Sequence, residues 1–237
     1  MKNTLSWKAG NVSLVALCVA LGLAGCAAIS SSVPSDVMQS SSPVRLQSGT
    51  FQSFVDGSMD AGEYRVTRIR YGTARSDGLQ LGPFTQERTS SSFTFLISSP
   101  RTTWRAACSR GARTQGITNN RSKLEFEKSD LRCELLGGAQ RVTMELTGLD
   151  GSKIGSIQVG DETFSMRQYF ADNVPVGRAY IPGPLGMRID RKSGNAGALE
   201  LAGLGTFWIN RTLSTDTQDA LAGVLTAMLI EHRRYAG

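Results

Sequence analysis

The chain has 237 residues, 40% of them hydrophobic and 19% charged, and its 26 basic against 20 acidic side chains give a net charge of +6. A length of this order suits one principal domain, and so mild a basic excess is not that of a nucleic-acid-binding protein. A single histidine, His232, leaves little room for histidine-based catalysis.

The first 25 residues read as an export signal. Lys2 and Lys8 form a positive start, residues 12–23 are almost free of strongly polar groups, and Gly22, Ala24 and Gly25 are small enough for a peptidase cleft. The apolar run is too short to span a bilayer, which takes roughly 20 residues. Leu23-Ala24-Gly25-Cys26 resembles the lipobox of bacterial lipoproteins. That resemblance implies a signal peptide over 1–25, a diacylglycerol on the Cys26 thiol, cleavage before Cys26, and an acyl chain such as palmitate on the new amino terminus. It also implies, with Ala27 rather than an aspartate after the cysteine, transfer to the outer membrane with the domain facing the periplasm. Removing 25 residues, two of them lysine, would leave 212 residues and a net charge of +4.

From 26 to 49 serine dominates, with Pro34 and Pro43 interrupting any helix, and this stretch is expected to be a flexible tether. With Cys18 in the signal and Cys26 under lipid, Cys108 and Cys133 are the two thiols left for an oxidising periplasm, and a disulfide is the economical reading. A loop of this length gives about 3 to 4 kcal/mol by the chain-entropy argument.

Residues 50–237 are expected to form one β-rich domain. Strand-like runs fall at 64–71, 93–98, 103–108, 123–127, 131–136, 141–147, 153–159 and 163–169, with shorter ones at 187–190, 198–201 and 206–210. Ser76-Asp77-Gly78, Gly137-Gly138 and Leu149-Asp150-Gly151 are turn signals between them. So many short strands point to a mainly β fold, an antiparallel barrel or sandwich. The exception is 216–234, where acids lead, cations follow, and Ala220 to Ile230 is apolar or small at every position but Thr226. Thr215 or Asp216 could cap such a helix. Apolar on every face and about 16 Å over that run, it belongs inside the protein. A many-stranded antiparallel sheet followed by one hydrophobic helix resembles the tubby C-terminal-like group, including the LURP-one-related proteins and phospholipid scramblases. The resemblance covers about 50–235 and implies a closed barrel around the helix, and lipid binding through basic side chains.

Catalytic signatures are missing from the sequence: no GxSxG elbow, HExxH, P-loop or dinucleotide-binding glycine pattern occurs. His232 stands at a helix end that favours a cation. Asp60 with Glu63, and Asp161 with Glu162, read as solvated turn residues, although a carboxylate-dependent hydrolase of envelope polymers is the alternative they keep open. Neither cofactor nor metal is implied. Arginines cluster instead: Arg65, Arg68 and Arg70 on one strand, Arg101, Arg105, Arg110 and Arg113 around another, and Arg188, Arg191 and Lys192 near a third. Since guanidinium groups grip carboxylates and phosphates bidentately, Arg65, Arg68, Arg70, Arg101 and Arg105 are the candidate site for an anionic lipid or an acidic envelope protein. The expected function is that of a membrane-anchored, non-catalytic binding or structural module.

Overall fold

Apolar and polar residues alternate along most of the chain after residue 58, and a period of two buries its apolar half only if the strands share one inner face. In chain order the elements are α1 (Ser35–Ser40), β1 (Ser41–Arg45), β2 (Met59–Ala61), β3 (Tyr64–Tyr71), β4 (Arg75–Leu81), β5 (Phe84–Ser98), β6 (Thr103–Asn119), β7 (Ser122–Gly137), β8 (Gln140–Leu149), β9 (Ser152–Val159), β10 (Glu162–Tyr169), β11 (Gly186–Arg191), β12 (Gly194–Glu200), β13 (Thr206–Asn210) and α2 (Thr215–Tyr235). The computed structural model describes residues 33–46, 58–119, 122–149, 152–169 and 185–235, all within the unit Ser32–Gly237. The expected signal peptide, Cys26 and the turn residues Asp150 and Gly151 lie outside the described residues.

Twelve antiparallel strands follow the order β1-β13-β12-β11-β10-β9-β8-β7-β6-β5-β3-β2. A bridge between Leu46 and Ala61 brings the two ends together, so the sheet is a nearly closed barrel. One cross-strand row, Phe93, Cys108, Cys133, Met144, Ile157 and Phe164, shows how the wall works: six strands each turn a buried side chain inward at the same level. Along β8 the outward positions are Arg141, Thr143, Glu145 and Thr147. Eight strands leave room only for side chains, and twelve enclose more than side chains alone can fill. Helix α2 occupies the space. It touches β6 and β7 on one side and β12 and β13 on the other, and Ala220, Leu221, Ala222, Val224, Leu225, Ala227, Leu229 and Ile230 have no exposed surface. Gly223 lets it approach β7 closely, because a Cβ there would lie 2.4 Å from Cδ2 of Leu135.

Both ends of the helix carry buried carboxylates that the barrel neutralises. Near the start, Asp219 is 1% exposed and accepts from the Ser99 hydroxyl at 2.8 Å and the Arg101 guanidinium at 2.7 Å. Burial, and then the nearby Asp219 charge, push the Tyr64 phenol well above its usual range. Near the end, Glu231 is 5% exposed and receives Lys153 Nζ at 2.8 and 3.0 Å and Arg110 Nε at 3.4 Å. Thr226, the polar break in the run, donates to the carbonyl of Ala222 at 2.8 Å.

Several expectations are corrected. The serine-rich stretch 26–49, expected as a tether, is part of the fold over residues 33–46: α1 packs on β12 and β13, and β1 pairs with β13. Serine composition suggested solvation, but bidentate contact of Arg188 with Asp36 at 2.6 and 3.0 Å, and Asn195 bonds to Ser40 and the Asp36 carbonyl, fix this segment. Pro43 is tolerated because β1 has a single continuous neighbour among the described residues. The strands are not all short: 93–98 is the end of a 15-residue β5, 103–108 the start of a 17-residue β6, and 123–127 and 131–136 are one strand, β7. Ser76-Asp77-Gly78 is not a turn but the middle of β4, since pairing with Glu87, Arg88 and Thr89 of β5 outweighs local turn preference. The cap of α2 is Ser214, whose hydroxyl accepts from the Thr217 N–H at 3.2 Å, rather than Thr215 or Asp216. Cys108 and Cys133 are directly opposed on β6 and β7 and form a disulfide, with sulfurs 2.02 Å apart.

Candidate anion-binding cleft

Strand β3 begins with Tyr64 and Val66 inward, so strict alternation would send residue 68 inward and 69 outward. A bulge prevents this. Thr67 pairs with Leu96 and Arg70 with Thr94, so Arg68 and Ile69 together face only Phe95. The extra residue restores Ile69 to the core and places both Arg68 and Arg70 on the outer face. The local cost falls on Arg68, the only non-glycine among the described residues with positive φ, at 54°. That conformation costs a residue with a side chain about 1 kcal/mol or more.

Across the face, Arg105 of β6 lies opposite Leu96. Arg68, Arg70 and Arg105, with Thr94, Phe95 and Leu96 of β5 between them, line a cleft of about 280 Å³. None of the three guanidinium groups has an ion-pair partner among the described residues, whereas elsewhere on the wall Arg132 meets Glu145 at 3.7 Å and Arg141 meets Glu134 at 2.7 Å. Three converging cations with spare donors, beside the hydroxyl of Thr94 and the apolar Leu96, suit an oxyanion attached to a larger, partly apolar body.

Of the five arginines singled out from the sequence, then, three converge and two do not. Arg65 is outward and exposed, 3.7 Å from Asp60. Arg101 is committed to the start of the central helix through Asp219, whose hydrogen bond raises its pKa further. Arg110 serves Glu231, and Arg188 holds Asp36 and Asp190. The bulge itself has a trace in the sequence, because the apolar phase shifts by one residue between Val66 and Ile69; the convergence of Arg105 with β3 has none, since β5 lies between them.

Other candidate groups resolve into local roles. Glu63 stands in the β2–β3 turn, and Asp161 in the β9–β10 turn next to Glu162, all exposed. His232 is partly buried, and burial, followed by the Arg233 charge, lowers its pKa; Glu231 and Lys153 are its other charged neighbours. Among the described residues no three His, Cys, Asp or Glu side chains gather to hold a metal ion, and no helix is long and apolar enough to cross a membrane. In comparisons with protein-family models, curated proteins and solved structures, none matches the chain.

Proposed function

We propose that this is a lipid-anchored protein of the bacterial envelope, a non-catalytic module that binds an anionic group in the Arg68, Arg70 and Arg105 cleft. The observation that carries the reading is the bulge: it sets a strained arginine beside two others with no acid among the described residues to pair them. Strain retained at one residue marks a functional constraint better than a charge count does. The lipobox supports anchoring through Cys26 at the outer membrane, and the Cys108–Cys133 disulfide supports an oxidising compartment. A helix buried on all faces at the end of an antiparallel strand series supports kinship with the tubby C-terminal-like group.

The test separates stability from binding at one position. Arg68→Gly relieves the positive φ and should stabilise the fold by about 1 kcal/mol, while binding of phosphoglycerol, followed by calorimetry, weakens at least about tenfold for each charge-assisted hydrogen bond removed. Arg70→Gln and Arg105→Gln should weaken binding without the gain in stability. Saturable binding that survives the triple substitution, or no binding by the wild type, would sink the cleft assignment. Mass spectrometry of the native amino terminus tests the anchor separately.

A further inference from the structure

Strands β4 to β7 continue beyond the barrel wall. Strand β8 stops pairing with β7 at Lys128, so the segments near 75–90, 110–119 and 122–127 form a four-stranded arm whose edges pair with no further strand among the described residues. The register sorts its two faces. On the outer face, Leu81, Phe84, Ile117 and Leu124 stand side by side at the tip, followed by Leu79 and Phe126 in the next row. All six are 44–65% exposed, and five of them help line a shallow hollow of about 350 Å³. The next row on this face is Asp77, Arg88, Arg113 and Lys128. The opposite face carries Glu87, Glu125 and Glu127.

Three cations directly opposite one another on adjacent strands repel, and neither Arg88 nor Lys128 has an ion-pair partner among the described residues. An anion from outside would relieve that repulsion. Four residues of extended chain separate the tip row from the cation row, about 13 Å at 3.3 Å per residue. This matches apolar side chains below a headgroup layer with cations at the phosphates. A second copy fits worse, because the same face on it offers one acid, Asp77, against three cations.

We propose that the arm is a membrane-insertion element: its outer face enters an anionic lipid leaflet tip first, with Arg88, Arg113 and Lys128 at the phosphate level and the glutamate face turned away. This goes beyond the cleft and does not depend on it, nor on lipid at Cys26. A tethered domain would gain a second attachment, and with it a defined orientation.

The test uses the full chain carrying Cys26→Ser, so that no acyl chain contributes, with vesicles of phosphatidylethanolamine and phosphatidylglycerol at 3:1 or of phosphatidylcholine alone. An indole introduced by Phe84→Trp should shift to the blue and be quenched by brominated lipid on the anionic vesicles. One introduced by Thr85→Trp, on the glutamate face, should remain in water. Arg88→Gln, Arg113→Gln and Lys128→Gln together should weaken binding to the anionic vesicles roughly a hundredfold at about fivefold per charge, with a far smaller effect on phosphatidylcholine. Equal quenching at positions 84 and 85, no quenching at 84, or a concentration-dependent shift without vesicles would each overturn the proposal, the last in favour of self-association. Loss of phosphoglycerol binding in the Arg68, Arg70 and Arg105 variants with tip quenching intact would show the two sites to be separate.

Discussion

Replacing Lys153 by methionine tests whether the central helix is held by charge compensation at its C-terminal end. Glu231 is 5% exposed and lies where the helix dipole disfavours an anion. Lys153 Nζ approaches both of its oxygens, at 2.8 and 3.0 Å, and at the effective dielectric that suits protein sites such a contact is worth about 6 kcal/mol before desolvation. Most of that is cancelled by the cost of burying the charges, and stranding one member of a buried pair usually costs about 3 to 5 kcal/mol. Arg110 remains 3.4 Å away in the variant, so the expected loss for Lys153→Met is smaller, about 2 to 3 kcal/mol. Glu231→Gln should cost less, because Lys153, with 23% of its side chain exposed, can turn to water. The double variant should be no less stable than Lys153→Met alone. Urea unfolding with an unchanged m value is the assay, and the melting temperature of the single lysine variant should fall by roughly 5–10 °C. A Lys153→Met protein within about 0.5 kcal/mol of wild type, or additive effects in the double variant, would refute the reasoning.

Gly223→Val should destabilise by about 1 to 3 kcal/mol through overpacking, since the new Cβ meets Leu135 Cδ2 at 2.4 Å, and Leu135→Ala in the same chain should restore part of the loss in thermal melts. Burial and the Arg233 charge hold the His232 imidazole below its ordinary value of 6.5. The unfolded chain is protonated first as pH falls, so this group's contribution is present above pH 6.5 and is lost below it. Wild type should therefore lose more stability between about pH 7 and pH 5 than His232→Gln does, and equal losses in the two proteins would contradict the shift. Cys108→Ala with Cys133→Ala should cost about 3 to 4 kcal/mol for a 25-residue separation, and a loss under about 1 kcal/mol in chemical unfolding would mean that the link does not constrain the unfolded chain.

The elements most legible in the sequence were those whose pattern is local. Thr206–Asn210 and Tyr64–Tyr71 have the expected strand bounds, and α2 begins and ends within one residue of the expected helix. Each combines hydrophobic periodicity with clear end signals. Strands β1, β2 and β4 carry no such pattern, for a shared reason. β1 and β4 are rich in serine, arginine or glycine and β2 has three residues, so their extended form depends on backbone bonds to neighbours rather than on side-chain pattern. Arm residues of β5 and β6 are illegible for the same reason, their polar alternation giving no inward face to detect.

The functional surface divides along the same line. Amino-acid order alone determined that Arg68 and Arg70 are neighbours and that one apolar helix must be enclosed, because each follows from spacing or from an apolar face that water would penalise. Only tertiary pairing decided which arginines stay available. Arg101 and Arg110 are neutralised by Asp219 and Glu231, more than a hundred residues away, while Arg105 reaches Arg68 and Arg70 across an intervening strand. The row of Arg88, Arg113 and Lys128 likewise exists only once the strand register is set. A guanidinium's availability depends on the acids within a few ångströms of it, and in a barrel those neighbours are fixed by register and closure rather than by sequence distance.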